Sequence, residues 1–139
     1  MIKELLILIA GFEDFHAIPY ADRTQYSVGY GSKAEDIEQC ITKDYALAML
    51  QRDTHKHLKI VKKIAGLSEN QIISLTSLSY NIGDSAFRNS TLAHLVQMGK
   101  HCEAVAEFDR WVFQNGKKLQ GLELRRAKEK ALFSKELRC

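Results

Sequence analysis

Proline occurs only once in this chain of 139 residues, at position 19. A proline inside a helix removes a backbone hydrogen bond, and its ring clashes with the preceding turn, so Pro19 excludes a helix that continues through it. Leu, Ala, Lys and Glu, which are good helix formers, are abundant in the rest of the chain. The sequence therefore predicts an α+β fold that is predominantly helical, with a short non-helical segment around Pro19.

The composition is typical of a globular protein of one domain. Hydrophobic residues make up 45% and charged residues 27% of the chain, which excludes a fibre or a low-complexity protein. The charge is uneven, because residues 1–50 carry a net charge of −4 and residues 51–139 a net charge of +7. The basic part permits binding to an anionic polymer (cell wall, nucleic acid or a lipid surface), and solvated helix faces explain it equally well.

Apolar periodicity predicts two helices in the first half of the chain. The first spans about residues 2–12 and brings Glu13 to its C-terminal turn. The second spans about residues 43–64 and follows Thr42, a residue type that favours the N-cap position. Its apolar stripe is formed by Leu47, Leu50, Leu58, Val61 and Ile64.

A capping box opens the next helix, in which Ser68 and Gln71 are spaced to cap each other's backbone. We expect this helix to end at Gly83. Its core positions are expected to be Ile72, Leu75, Leu78 and Ile82.

The sequence predicts shorter elements in the last third of the chain. We expect a loop at 84–89, a short helix at 90–98 and an amphipathic helix at 101–112, with Trp111 in the core. Asn115-Gly116 is a turn signal. The last helix is predicted at about 122–137, with its inward face formed by Leu124, Ala127, Ala131 and Leu132.

Residues 5–10 form an apolar run near the N-terminus. The run is six residues long, which is shorter than the core of a signal peptide and far shorter than a membrane span. We interpret it as part of the first helix, with a signal anchor as the alternative.

The cysteines and paired histidines give no sign of a metal site. Cys40, Cys102 and Cys139 are odd in number and lack a Cys-x-x-Cys spacing, so we expect free thiols and no disulfide framework or zinc site. His55 and His57 lie two residues apart on the long helix and therefore point to different faces.

The candidate chemistry lies in residues 11–32. Aromatic, Thr, Ser and Val residues with interspersed glycines predict short strands around a turn at residues 22–25. Such a small hairpin is not stable alone and must pack on the helices. Glu13, Asp22 and Ser27 supply a carboxyl group, a carboxylate and a hydroxyl, which suit acid-assisted cleavage of a glycosidic bond.

The same segment contains an ordered set of motifs: Phe12-Glu13-x-Phe15, Tyr20-x-Asp22 and Ser27-Val28-Gly29-Tyr30-Gly31. Further motifs follow at Leu78-Ser79-Tyr80-Asn81-Ile82-Gly83, Phe87-Arg88-Asn89-Ser90-Thr91-Leu92, Glu107-Phe108-Asp109-Arg110-Trp111 and Gly121-Leu122-x-x-Arg125-Arg126-x-x-Glu129-x-x-Leu132-Phe133. Together they span nearly the whole chain, and the set resembles the phage-type lysozymes, the endolysins of glycoside hydrolase family 24.

The resemblance implies a single lysozyme-like domain over residues 1–139. A small β-hairpin lobe at about 13–40 would pack on a helical lobe, with the active-site cleft between them. The helical lobe would consist of the first helix and residues of about 66–139, and the helix at about 43–64 would connect the two lobes.

The resemblance also implies a glycosidase (a muramidase) that cuts the β-1,4 bond between N-acetylmuramic acid and N-acetylglucosamine in peptidoglycan, without a metal or cofactor. Glu13 matches the general acid, Asp22 the carboxylate across the cleft, and Ser27 a hydroxyl position that is usually threonine. Arg126 matches an arginine that reaches the catalytic glutamate, with Arg125 as the neighbouring candidate. The implied substrate-binding residues are Tyr20, Tyr30, Gly31, Tyr80, Asn81, Asn89 and Ser90.

Two features depart from the family pattern in this segment. The stretch from Asp22 to Ser27 is one residue shorter than expected, and serine lacks the methyl group that stiffens the threonine rotamer. Asp14 also stands where glycine is common. His16 is interpreted as a surface residue, because the pattern does not support it as a base.

The functional expectation is an endolysin that causes bacterial cell lysis. One alternative is a lytic transglycosylase, which needs Glu13 but neither Asp22 nor Ser27; another is a non-catalytic cell-wall-binding or nucleic-acid-binding protein. We expect a monomer that does not insert stably into a membrane. It would stay in the host cytoplasm until a holin or another delivery route releases it to the wall, because no convincing signal peptide is present.

Overall fold

The structure is a computed structural model that describes all 139 residues, of which 58% are helical. Its α-helices are α1 Ile2–Phe12, α2 Lys43–Lys62, α3 Glu69–Ile82, α4 Asp84–Arg88, α5 Thr91–Gln97, α6 His101–Ala104 and α7 Gln120–Phe133. Its strands are β1 His16–Asp22, β2 Gln25–Gly29, β3 Ser32–Lys33, β4 Phe113–Gln114 and β5 Lys117–Lys118, and a 3-10 helix spans Val105–Arg110. This composition confirms the predicted, predominantly helical α+β class.

The chain divides into two compact units, and the boundary between them in sequence falls inside α2. The hairpin unit comprises residues 1–56 and contains α1, the three-stranded sheet and most of α2. The helical unit comprises residues 57–139. The single-domain arrangement given above stays a prediction.

The first helix has the predicted bounds, and Leu5 and Ile9 on it are buried. After it, β1, β2 and β3 form an antiparallel sheet in that order. Pro19 lies in β1, at the edge of this sheet, where the pairing is irregular between His16 and Tyr20. A proline is tolerated there because an edge strand can lose one backbone donor without breaking an inner ladder.

The sheet contacts α2 closely at one glycine. Gly29 has φ +68°, and a Cβ atom built on it would lie 3.0 Å from the Cβ atom of Ala46 and 3.1 Å from Cδ1 of Ile41. A larger residue would therefore be strained and crowded at this position. Thr42 caps α2 as predicted, since its Oγ1 accepts a hydrogen bond from the Tyr45 backbone N–H at 3.1 Å.

The helical unit is built around one apolar cluster. Its helix α3 begins with the predicted capping box of Ser68 and Gln71. Both hydrogen bonds of the box are present, at 3.1 and 3.0 Å. The buried members of the cluster are Val61, Leu75, Leu78, Phe87, Leu92, Ala93, Val96, Ala104, Phe108 and Phe133. Ile72, Ile82 and Trp111 are partly buried and pack against it.

Two elements of the helical unit differ from the sequence prediction. Residues 84–88 form α4 rather than a loop, because Gly83, at φ +96°, ends α3 and lets a new helix start at once. The predicted helix at 101–112 is one turn of α-helix followed by the 3-10 helix, and it ends at Arg110. The turn at Asn115-Gly116 connects β4 and β5, so the prediction found the turn and missed its two short strands.

The predicted inward face of the last helix is wrong at three of its four residues, and only Leu132 is half-buried. Leu124 is 60% exposed, and Ala127 and Ala131 are exposed as well, whereas Arg125, Arg126, Glu129 and Phe133 are buried. The apolar pattern failed here because three charged residues compensate one another in the interior, which a hydropathy criterion excludes from the core. None of the helices combines the length and apolar character that crossing a membrane requires.

The expectation of free thiols is wrong for two of the three cysteines. Cys102 at the start of α6 and Cys139 at the last position form a disulfide with their Cα atoms 5.6 Å apart, and Cys40 is free and exposed. The two partners are 37 positions apart in sequence. Their pairing depends on how the residues after α7 fold back onto α6, which the cysteine spacing does not encode.

Replacing Cys139 by serine should lower the free energy of unfolding by about 3–4 kcal/mol, because a cross-link over this separation restricts the unfolded chain. Urea unfolding followed by circular dichroism measures the loss. Cys40→Ser is the matched control and should change the value by less than about 0.5 kcal/mol. Equal unfolding midpoints for Cys139→Ser and the parent chain would contradict the pairing.

Candidate active site

Glu13 lies where α1 ends. It is the C-cap residue, with an extended backbone (φ −96°, ψ 135°), and its N–H donates to the Ile9 carbonyl oxygen at 3.1 Å. Its side chain is half-buried. The end of a helix fixes the backbone of Glu13 and leaves its carboxyl group partly accessible.

The hairpin brings Asp22 and Ser27 together, as the sequence predicts. Ser27 Oγ donates a hydrogen bond to Asp22 Oδ2 at 3.2 Å, and Gln25 Nε2 donates to Ser27 Oγ at 3.2 Å. Ser27 is fully buried, whereas Asp22 and Gln25 are exposed. Gln25 is a member of this cluster that sequence reasoning missed, although it precedes Ser27 by two residues and therefore shares its face of β2.

Tyr20 pairs with Ser27 across β1 and β2. Burial raises the pKa of its hydroxyl, and the carboxylates of Asp22, Glu13 and Asp14 raise it further, whereas a hydrogen bond with Ser27 lowers it. The phenol therefore stays protonated at neutral pH, with Ser27 as a hydrogen-bond partner.

His16, Tyr30 and Gly31 also belong to the hairpin unit. The ring of exposed His16 lies 4.3 Å from that of Tyr20. Tyr30 is buried, with its ring 5.5 Å from Phe15. Gly31 follows with φ +94°, a conformation that glycine adopts without strain.

In the helical unit, the predicted binding residues Tyr80 and Asn81 lie in the last turn of α3, and both are half-buried. The ring of Tyr80 meets His57 edge-on at 5.9 Å, and His57 Nδ1 lies 2.8 Å from Ser79 Oγ. Asn81 Oδ1 accepts a hydrogen bond of 2.6 Å from Arg126 Nη2. A guanidinium group can only donate, so the amide NH₂ of Asn81 points elsewhere and can donate to another group.

Asn89 and Ser90 have capping contacts in this structure. Ser90 Oγ donates to the Phe87 carbonyl oxygen at 2.6 Å and accepts from the Ala93 N–H at 3.0 Å, so its hydroxyl caps α5. Asn89 is exposed and its Nδ2 lies 3.4 Å from Ser85 Oγ. A role for either residue in substrate binding stays a prediction.

Two arginines and one glutamate form a buried cluster on α7. Arg126 Nε lies 2.8 Å from Glu129 Oε1, close enough for an ion pair although not aligned as a hydrogen bond. Arg125 Nε lies 3.4 Å from Glu129 Oε2, which also accepts the Ser77 hydroxyl at 2.5 Å. Glu129 and Ser77 were not predicted as site residues.

Burial disfavours the charged forms of Arg126 and Glu129 in this cluster. Desolvation lowers the pKa of Arg126 to about 10, against the opposing effect of Glu129. Desolvation also raises the pKa of Glu129, while Arg126 and Arg125 counteract it. Arg126 therefore remains a cation at neutral pH, held by Glu129 and directed at Asn81. The contact of Arg126 with Glu13 that the resemblance implies stays a prediction.

Nowhere in the structure do three or more His, Cys, Asp or Glu side chains converge as a metal site would require. Residues 10–129, which include both carboxyl groups and the α7 cluster, match the phage lysozyme family. The chain belongs to this family. Membership confirms the family that the sequence motifs indicated.

Individual relatives agree with the family match. The chain is 38% identical to the endolysin of Bacillus phage PZA, with 91% of this chain and 52% of that protein covered. It is 36% identical to the endolysin of Acyrthosiphon pisum secondary endosymbiont phage 1, with 92% and 93% covered. The solved muramidase domain of SpmX from Asticaccaulis excentricus superposes with a TM-score of 0.87 at 30% identity, covering 94% of this chain and 95% of that chain.

The relatives differ in length. The chain spans about half the length of the endolysins of Bacillus phages PZA and B103. It spans nearly all of the endosymbiont phage endolysin. The matched part is therefore a lysozyme-family domain that also occurs within longer proteins.

Replacing Glu129 by glutamine should lower the free energy of unfolding by about 3–5 kcal/mol, because it leaves two buried arginines without a counter-charge. Thermal and urea unfolding measure the effect. Glu123→Gln is the matched control on the exposed first turn of α7 and should change the value by less than about 0.5 kcal/mol. A Glu129→Gln variant as stable as the parent chain would show that the glutamate is not the required counter-ion.

Proposed function

We propose that this chain is a lysozyme that hydrolyses the β-1,4 bond between N-acetylmuramic acid and N-acetylglucosamine in peptidoglycan and thereby lyses bacterial cells. The observation that carries the proposal is the family match over residues 10–129, which includes Glu13, Asp22 and Ser27. Relatives named as endolysins and a neighbour named as a muramidase support the same reaction class.

Glu13 is the proposed general acid. Cleavage of a glycosidic bond requires a proton on the leaving oxygen, and a carboxyl group at the end of a helix can deliver it from a fixed backbone position. Glu13 is the C-cap residue of α1 and has an extended backbone. Arg126 is proposed to orient this carboxyl group, with Arg125 as the neighbouring candidate.

Asp22 is the proposed second carboxylate. It acts either as a base for the attacking water or as the partner of the positive charge that develops on the sugar. The buried Ser27 hydroxyl donates its proton to Asp22, so it suits holding the carboxylate in one orientation. Tyr20, Tyr30 and Gly31 in the hairpin unit are proposed substrate-binding residues.

In the helical unit we propose Tyr80, Asn81, Asn89 and Ser90 as substrate-binding residues. Asn81 has the clearest support, since Arg126 takes its amide oxygen and leaves the NH₂ group as a donor. The carbonyl oxygen of an N-acetyl group is a suitable acceptor for that donor.

The comparisons do not favour a lytic transglycosylase. For the route to the substrate, we propose that the protein is a monomer. It would remain in the host cytoplasm until a holin or another delivery route brings it to the wall. Neither nucleic acid nor stable membrane insertion is part of the proposal.

Replacing Glu13 by glutamine should lower the rate of peptidoglycan lysis by about 10²–10⁴-fold, because the amide cannot supply the proton. Loss of turbidity of a peptidoglycan suspension measures the rate, and circular dichroism checks that the variant folds. Glu38→Gln, an exposed position of the hairpin unit, is the control and should lyse at the parent rate. Undiminished lysis by folded Glu13→Gln would refute the assignment of the acid.

The released fragments should carry reducing ends, because water completes the proposed reaction. Mass spectrometry of the soluble muropeptides distinguishes these from the anhydro ends that a transglycosylase produces. Asp22→Asn should reduce the yield of reducing ends strongly. Anhydro products that persist in Asp22→Asn would show that the reaction is transglycosylation and not hydrolysis. Binding of peptidoglycan without any product would indicate a non-catalytic wall-binding protein.

A further inference from the structure

We propose that Gln25 is a positioning residue for the reaction: its side-chain amide fixes the Ser27 hydroxyl, and the hydroxyl in turn holds the Asp22 carboxylate. This inference rests on the proposed function and adds to it a residue that neither the motifs nor the family resemblance assigned. It begins from a chain of two hydrogen bonds within the hairpin unit.

The chemistry of the amide, the hydroxyl and the carboxylate determines which group donates in each of these two hydrogen bonds. A serine hydroxyl has one proton and two lone pairs, and a carboxylate only accepts. Ser27 therefore gives its proton to Asp22, at 3.2 Å, and presents a lone pair to the amide of Gln25, which donates at 3.2 Å. Removing the amide would leave Ser27 with Asp22 and the Tyr20 hydroxyl as its side-chain partners.

Ser27 is fully buried in the parent chain, so its hydroxyl is held by protein groups there. A serine side chain also lacks the second substituent on Cβ that restricts χ1 in threonine. The hydroxyl consequently depends on its hydrogen-bond partners to stay directed at Asp22. Besides Asp22 and Tyr20, Gln25 is the partner that lies on the same strand as Ser27.

The short turn sets the register that places Gln25 near Ser27. Asp22 pairs directly with Gln25, and only Arg23 and Thr24 connect the strands, with Arg23 at φ +53°. In this register Gln25 and Ser27 lie on the same face of β2. A shift of one residue would turn every side chain of the strand to the other face. The shortened stretch before Ser27 therefore sets the register that places Gln25 on the same face as Ser27.

The first experiment replaces Gln25 by methionine, which is similar in length but has no donor. With a soluble peptidoglycan oligosaccharide as substrate, kcat should fall about three- to tenfold, the equivalent of one lost hydrogen bond. KM should stay within about twofold, because the amide acts through Ser27 and Asp22 rather than on the sugar. Gln114→Met, at an exposed glutamine of β4, is the matched control and should keep the parent kcat and KM.

The second experiment places Gln25→Met in a Ser27→Thr background. Threonine restricts its own χ1 angle, so the amide becomes redundant and the loss caused by Gln25→Met should shrink to less than about twofold. Equal losses in both backgrounds would overturn the proposal. Thermal unfolding checks that each variant is folded, and the spectroscopic measurement is made on the folded variants.

That measurement is the pair of Hα–Hβ couplings of Ser27 by NMR, which report its χ1 rotamer without substrate. The parent chain should show one rotamer and Gln25→Met an average over several. Unchanged couplings, an unchanged kcat, or a rise in KM at constant kcat would each refute the positioning role. A parent chain that does not cleave the oligosaccharide would refute the proposed function instead, and the couplings would still show whether Gln25 fixes Ser27.

Discussion

Glu129 connects α7 to α3 through both its backbone and its side chain. Its carbonyl oxygen accepts the Ser74 hydroxyl at 2.6 Å, and its carboxylate accepts the Ser77 hydroxyl while lying between Arg125 and Arg126. Bringing three charges into a protein interior costs several kcal/mol for each ion, and this cost is offset only when the geometry of the partners is good. The cluster therefore specifies one rotation of α7 against α3. That rotation places Arg126 against Asn81 and determines which atoms of the amide remain available.

In the hairpin unit the corresponding constraint is register. Pro19 requires an extended edge strand, the tight turn after Asp22 sets the pairing, and Gly29 permits close approach to Ala46 on α2. Because side chains alternate along a strand, this one register determines that Ser27 is buried and bonded to Asp22. The proposed chemistry depends on the arrangement, since a carboxylate at the tip of a hairpin would otherwise be free to rotate.

Local signals in the sequence were sufficient for most elements. The capping residues Thr42 and Ser68, the end of α1 before Glu13 and the turn at 22–25 were predicted and are confirmed, because each depends on neighbours within a few positions. The errors lie where distant residues decide. The inward face of α7 was assigned by apolarity, and the disulfide of Cys102 was missed because its partner is 37 positions away.

The sequence by itself determined the family, the mostly helical α+β class and the three residues proposed for the chemistry, because these follow from local propensity and from ordered motifs. Only the tertiary structure decided how those side chains are held. It assigned Gln25 to Ser27, and it buried Glu129 with two arginines. The Ser27–Asp22 hydrogen bond depends on the register of two strands, and the burial of the α7 ion pairs depends on how α7 is rotated against α3. A one-dimensional pattern does not contain either quantity.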